Sequence, residues 1–136
     1  MKKVHFIGIG GIGISAIARF LKERDFIISG SDIADSAITK ELRASGMKIT
    51  VPHCKTAIED PDFVVYSAAI KGDNVELLEA RKRGIECLSR KEALPFILEG
   101  KRVFAVAGAH GKSTTSAMLA SLMEGSAIIG AISKEF

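Results

Sequence analysis

Gly8-Ile9-Gly10-Gly11-Ile12-Gly13 constrains the fold of this chain more than any other stretch. It follows a short apolar run, Val4–Ile7. It precedes a segment, Ile12–Lys22, in which Ile12, Ala16 and Phe20, and Ile14, Ile17 and Leu21, recur at helical spacing. A strand that breaks into glycines and restarts as a helix is a strand–turn–helix unit. Its G-x-G-x-x-G pattern lets backbone approach a diphosphate, and the helix start offers free N–H groups and the positive end of a dipole. The bland alternative is a tight turn with no ligand. A signal peptide is excluded, although Lys2-Lys3 and Ala16-Ile17-Ala18 mimic one, because four glycines would break its helical core.

The same switching of period continues down the chain. Phe26–Ser29, Met47–Val51, Phe63–Ser67, Ile85–Leu88 and Val103–Ala107 read as strands, and Ala127–Ile132 as a seventh. Ser36–Ser45, Val75–Arg83, Lys91–Leu98 and a segment from Lys112 to about Met123 read as helices; Gly46, Gly84 and Gly100 stop the first three. Strand and helix in alternation, with strands that are continuous apolar runs, predict an α/β fold. The expected form is a parallel, doubly wound, Rossmann-like sheet flanked by helices. The polar link Glu99-Gly100-Lys101-Arg102 divides the chain into an expected domain at 1–99 and an incomplete one at 100–136.

Composition narrows the function classes. A formal net charge of +3 over 136 residues, spread along the chain, gives no footprint for nucleic acid. Residues 113–133 carry one charge, Glu124, but too many hydroxyls and glycines for a membrane span. Cys54 and Cys87 are too few for a disulfide framework and read as reduced, unreactive thiols, so the chain is expected to be cytoplasmic.

Ser31-Asp32 closes the second strand, 19 residues beyond Gly13, where an acid in a dinucleotide fold holds ribose hydroxyls. Asp32 could instead cap the next helix, although Asp35 or Ser36 could do so too. His53 follows Pro52 at a strand end, where ligands bind in such sheets. His5 sits in the first strand and is expected to be packed. A second glycine loop, Gly108-Ala109-His110-Gly111-Lys112-Ser113-Thr114, has the chemistry of a P-loop. Its backbone N–H groups would cradle phosphates, Lys112 would neutralise the β/γ charge and the Ser113 hydroxyl would ligate Mg²⁺. Val106 stands where the strict pattern has glycine, so the loop is a shortened variant. His110 is balanced between a phosphate contact and a structural role. A dehydrogenase needs one nucleotide site, whereas two phosphate loops about a hundred residues apart suit an enzyme that activates a nucleotide-linked substrate with ATP.

Together these residues resemble the Mur ligase family. The resemblance runs through His5–Gly13, Gly30-Ser31-Asp32, His53, Tyr66-Ser67-Ala68-Ala69-Ile70, Asn74, Ser89-Arg90, Ala107–Thr115 and Ser126–Gly130. It implies a cytoplasmic enzyme of peptidoglycan synthesis with a Rossmann-like domain for the UDP sugar, a central ATPase domain and a C-terminal amino-acid domain. ATP would phosphorylate the carboxylate of UDP-N-acetylmuramate, and the amine of L-alanine would attack the acyl phosphate. On this chain it implies that Gly8, Gly10, Gly11, Ile12 and Gly13 hold the UDP diphosphate. Ser31, Asp32 and His53 would lie near the uridine or ribose, and Ser67, Ala68, Ala69 and Ile70 would line the same crevice. Lys112 and Ser113 would serve ATP and Mg²⁺, with Gly108, Ala109, His110, Gly111 and Thr114 around them.

The chain departs from the family at Ala109, where threonine is usual, and at Asn74-Val75-Glu76, where Asn-Pro-Glu is usual; the second change is expected to alter a helix start and not the chemistry. Family members run several hundred residues, so a chain ending at Phe136 is expected to be an N-terminal fragment that binds the UDP sugar without catalysing ligation alone. Its half-built second sheet would expose apolar edges, and it is expected to pack on the first domain, to pair with another copy in a homo-oligomer, or to be poorly ordered. Other readings remain: a ligase that attaches a whole tripeptide to the same UDP sugar, a nicotinamide-dinucleotide-binding Rossmann domain, and a non-catalytic nucleotide sensor.

Overall fold

The computed structural model describes residues 1–123. Five strands form one parallel sheet: β1 (Lys3–Ile7), β2 (Ile27–Ser31), β3 (Lys48–Thr50), β4 (Phe63–Tyr66) and β5 (Glu86–Ser89), in the order β3-β2-β1-β4-β5. Helices α1 (Ile12–Lys22), α2 (Ala37–Ala44), α3 (Val75–Lys82) and α4 (Arg90–Leu98) connect or follow the strands, and α5 (Lys112–Leu122) lies beyond the last of them. This order is that of a doubly wound Rossmann sheet, which the sequence predicts. The chain leaves β1 in one direction and returns to its other side at β4, so a crevice opens at the carboxyl ends of β1 and β4.

Three helices, α2, α3 and α4, start where a side chain satisfies their free N–H groups. Ser36 and Thr39 form a reciprocal capping box on α2, which releases Asp32 from that task. Asn74 Oδ1 accepts from the N–H groups of Glu76 and Leu77 at the start of α3. Ser89 and Glu92 form a second box on α4.

Strand alternation sorts β1 between two cores. Val4 and Phe6 face a larger cluster with Ile14, Ile17 and Leu21 of α1, Leu42 of α2, and Ala93 and Ile97 of α4. Ile7 faces a smaller cluster with Val64, Leu77 and Ala80 on the α3 side. His5 shares that second face and is fully buried.

One predicted strand is not formed. Val103–Ala107 makes no sheet pairing with the described residues, and Val103 and Phe104 are 53% and 55% exposed. An apolar run becomes a strand only when a neighbour accepts its backbone hydrogen bonds, and no described strand lies beside it. The helix after it forms as expected from Lys112, but among its described residues only Ala117 is buried. The predicted strand Ala127–Ile132 lies outside the described residues.

Candidate nucleotide-binding site

The first glycine loop sits at the carboxyl end of β1, in the middle of the sheet. Gly8 and Ile9 donate their N–H groups to Ser31 O at 2.8 and 3.0 Å, which ties the loop to the end of β2. Gly8 has φ +81°, and a Cβ there would stand 3.0 Å from Ser67 Cβ and 3.2 Å from Ile70 Cδ1. Only glycine combines that backbone with so close a neighbour. The segment Ser67–Ile70 after β4 therefore lies against the loop, with Ala68 and Ala69 exposed beside it.

Helix α1 begins at Ile12 after Gly11, with no side-chain cap and no acidic residue in its first turn. The N–H groups of Ile12, Gly13 and Ile14 are those a helix leaves without intrahelical partners, and they carry the positive end of its dipole. Asp32 reaches this loop from the end of β2. Its Oδ2 accepts the Gly10 N–H at 2.7 Å and its Oδ1 accepts the Ile33 N–H at 2.7 Å.

A cation completes this edge. A Cβ on Gly13 would stand 2.5 Å from Arg90 Cζ, so the missing side chain is what lets the guanidinium lie on the helix start. Arg90 opens α4 at the end of β5 and is exposed, and its side chain has no hydrogen bond or ion pair with another described residue. Its five donors match the oxygens of a phosphate group.

Beneath the crevice runs a buried polar network that the sequence reading did not anticipate. Glu76 of α3 is fully buried. Its Oε2 accepts from His5 Nε2 at 2.8 Å and from the Ser31 hydroxyl at 2.7 Å, and its Oε1 accepts from the Cys54 N–H at 2.8 Å. His5 Nδ1 meets Ser29 Oγ at 2.8 Å, and His53 Nδ1 meets Ser31 Oγ at 2.8 Å. Burial pushes the Glu76 carboxyl upward, but the hydrogen bonds from His5, Ser31 and Cys54 more than offset this and leave it below the ordinary glutamate range. Ser31 is thus turned inward between Glu76 and His53, whereas Asp32 meets the glycine loop and His53, beyond the end of β3, keeps part of its side chain exposed.

The second glycine loop is built differently. Gly111 adopts φ +74° immediately before α5, and Lys112 Nζ donates to Gly108 O at 2.6 Å across the loop. His110, Ser113 and Thr114 are exposed, and Ala109 offers only its backbone. Lys112, Ser113 and the free N–H groups at the start of α5 suit a phosphate. Ser113 supplies one oxygen of the kind Mg²⁺ takes, and among the described residues no group of three His, Cys, Asp or Glu could hold a metal. No helix among the described residues is long and apolar enough to cross a membrane.

The two cysteines differ. Cys54 is exposed, and the Thr56 hydroxyl 3.0 Å from its sulfur holds its thiol below the ordinary range; burial pushes the Cys87 thiol up.

A parallel sheet in the order β3-β2-β1-β4-β5, with a glycine loop, an acid and an arginine gathered at its switch point, defines a domain of the Rossmann type. The chain belongs to the Mur ligase family: residues 3–102 match the description "Mur ligase family, catalytic domain". It is 76% identical, over its whole length, to the UDP-N-acetylmuramate–L-alanine ligase of Campylobacter curvus, of which it covers 31%. The chain thus spans about a third of the length of the curated relatives it matches. Among solved structures it resembles the UDP-N-acetylmuramate–alanine ligase of Thermotoga maritima, with 39% identity and a TM-score of 0.83 over 88% of this chain and 28% of that one. The murein peptide ligase of Psychrobacter arcticus is similar too, with 28% identity and a TM-score of 0.80 over 88% of this chain and 26% of that one.

Proposed function

We propose that this chain forms the UDP-sugar-binding part, and the first piece of the ATP-binding part, of a cytoplasmic ligase that joins L-alanine to UDP-N-acetylmuramate. The observation that carries this reading is the glycine loop at the switch point with the Arg90 guanidinium laid on Gly13. Two phosphates seated there would meet the N–H groups of Ile12, Gly13 and Ile14, the helix dipole and a delocalised cation together. Asp32 and His53 stand at the ends of β2 and β3, where the ribose and base of such a ligand would extend. Ser67–Ile70 would close the other side.

Residues 1–99 would be the sugar-nucleotide domain and residues 100–136 the beginning of the ATPase domain. When bound, ATP with Mg²⁺ supplies the phosphoryl group that activates the muramyl carboxylate. Lys112, Ser113 and the start of α5 would hold its phosphates, with Gly108–Gly111 as the backbone cradle and Thr114 as a further hydroxyl. The preference for L-alanine over a tripeptide as the acceptor is supported by 76% identity to an alanine ligase against 28% to a murein peptide ligase.

Calorimetric titration of the 136-residue chain with UDP-N-acetylmuramate, NADH and Mg-ATP in parallel tests the reading. A ligand at 100 times its Kd raises stability by about 2.7 kcal/mol, so thermal shift gives a second readout. UDP-N-acetylmuramate is expected to bind and NADH is not. Binding of NADH alone would move the glycine loop to the dehydrogenase class.

A further inference from the structure

We infer that Glu76, acting through the Ser31 hydroxyl, locks His53 in its Nδ1–H form, so that His53 Nε2 faces the crevice as a hydrogen-bond acceptor for an N–H or O–H donor on the nucleoside half of the ligand. The ligand half of this inference rests on the nucleotide-binding reading above; the tautomer half does not.

Glu76 is buried and ionised, so both its oxygens can only accept. The Ser31 hydroxyl has a single proton, and at 2.7 Å from Glu76 Oε2 that proton points to the carboxylate. Ser31 Oγ can then meet His53 Nδ1, 2.8 Å away, only as an acceptor, which requires a proton on Nδ1. A second contact agrees: Glu76 Oε1 lies 3.6 Å from His53 Nδ1, where a bare ring lone pair would face a carboxylate oxygen. In the neutral ring, Nε2 then carries the lone pair.

The remaining contacts hold this chain in place. His5 Nε2 and the Cys54 N–H occupy one further acceptor position on each oxygen of Glu76, which holds its carboxylate in place against Ser31. The Cys54 N–H belongs to the residue after His53, so the same carboxylate that sets the tautomer also anchors the backbone beside the ring. The His53 side chain is 15% exposed, and its Nε2 has no hydrogen-bond partner among the described residues. No buried side-chain nitrogen or oxygen among these residues lacks a partner, so this atom is an accessible one. A fixed acceptor selects a donor. The imide N–H of a uracil ring and a ribose hydroxyl are donors, whereas the corresponding ring nitrogen of cytosine is an acceptor. Glu76 and Ser31 are positioning residues in this scheme, and His53 is the contact.

The test has two independent arms on the 136-residue chain. The first is ¹⁵N NMR of the imidazoles at pH 8, above the ordinary histidine range. His53 is expected to show a protonated Nδ1 and a bare Nε2, and Ser31→Ala is expected to shift it towards the opposite form. Ser31→Ala leaves the contacts of Glu76 with His5 and Cys54 intact, so it is the variant to use if Glu76→Gln does not fold. A bare Nδ1 in the parent chain, or the same tautomer in Ser31→Ala, overturns the relay.

The second arm is titration with UDP, CDP, 2′-deoxy-UDP and 3′-deoxy-UDP. His53→Ala is expected to weaken UDP binding about tenfold, as for one hydrogen bond, and His53→Gln to recover part of the loss. A preference for UDP over CDP that vanishes in His53→Ala assigns the donor to the base; a preference for UDP over a deoxy form that vanishes there assigns it to the ribose. UDP binding that is indifferent to His53 and Ser31 overturns the inference and leaves the proposed function standing. No UDP binding by the parent chain overturns the proposed function and the ligand half with it, while the tautomer result stands on its own.

Discussion

Two glycine loops of similar grammar meet different fates in this molecule. Gly8–Gly13 leaves a strand paired on both sides and enters α1, which buries six of its residues. Gly108–Thr114 leaves a segment with no strand partner among the described residues and enters α5, which buries one of them. Both helices begin where their sequences place them, because a helix start is decided within a few residues. The strand before each loop is not decided locally. It exists only where neighbours take its hydrogen bonds, and the position of a phosphate loop is therefore a property of the sheet behind it.

The largest test of that contrast removes core beneath the first loop. Phe6→Ala is expected to cost about 3–5 kcal/mol in urea denaturation, as for other buried aromatics. Phe104→Ala, at the half-exposed strandless segment, should stay within about 0.5 kcal/mol. Equal losses at the two positions would break the comparison.

The glycines before the two helices give a narrower test. Gly8→Ala combines positive φ with a Cβ 3.0 Å from Ser67 Cβ, and should destabilise the fold by about 1–3 kcal/mol. Gly111 has a similar φ, +74°, but nothing within 4 Å of its Cβ position. Gly111→Ala should therefore strain its own loop and leave the global unfolding midpoint within about 0.5 kcal/mol. A global loss at Gly111 as large as at Gly8 would mean that the second loop is coupled to the core after all.

Acid sharpens the contrast in another way. The Glu76 carboxyl lies below its ordinary value when folded, so the unfolded chain binds the extra proton. The resulting stability is complete above the ordinary glutamate pKa of about 4.3 and is lost as pH falls through the lowered folded value. Asp35, Glu59 and Glu79 are also lowered, by Arg43, Lys48 and Arg83 at the surface, and salt should screen the share that these ion pairs contribute; Glu92 is lowered by its capping bonds with Ser89 and adds a part that salt does not remove. Denaturation midpoints recorded from pH 6 to pH 3 in high salt should keep the Glu76 part of the slope, and Glu76→Ala should flatten it. A slope unchanged by that substitution would contradict the network.

The smallest effects are local. Gly13→Ala pushes the flexible end of Arg90 off the helix start, with little expected change in stability but weaker binding of a nucleoside diphosphate, read by calorimetry. Cys54 should be alkylated faster than Cys87 by iodoacetamide, since one thiol is exposed and held low and the other is pushed up by burial. Faster labelling of Cys87 would argue against the packing around β5.

Much of this architecture is written in local patterns. The period of Ile12–Lys22 marks α1 to the residue, and all five paired strands fall within about two residues of their apolar runs. Asp32 is legible as the acid closing β2, and the loop Gly8–Gly13 as its counterpart. What is not legible depends on distance along the chain. Glu76 looks like an ordinary acidic residue in the first turn of α3, yet its partners His5 and Ser31 are 71 and 45 residues away. The departure at Asn74-Val75-Glu76 falls at Val75, at a helix start that Asn74 caps, and says nothing of the Glu76 that follows it. His5 is buried as its strand position implies, but as one end of a network. Arg90 reaches the glycine loop only because Gly13 has no side chain, a relation no spacing rule displays. Val103–Ala107 fails for the opposite reason: its composition is that of a strand, and composition cannot report a neighbour.

The most direct test of the central claim, that the sheet-anchored loop is the diphosphate site, is amide hydrogen exchange of the chain with and without UDP-N-acetylmuramate. Strong protection is expected in β1 and β4 and rapid exchange at 103–107 in the free chain, with ligand-induced protection concentrated at 8–14 and at the start of α4 around Arg90. Ligand-induced protection at 108–114 instead, with 8–14 unchanged, would contradict that claim.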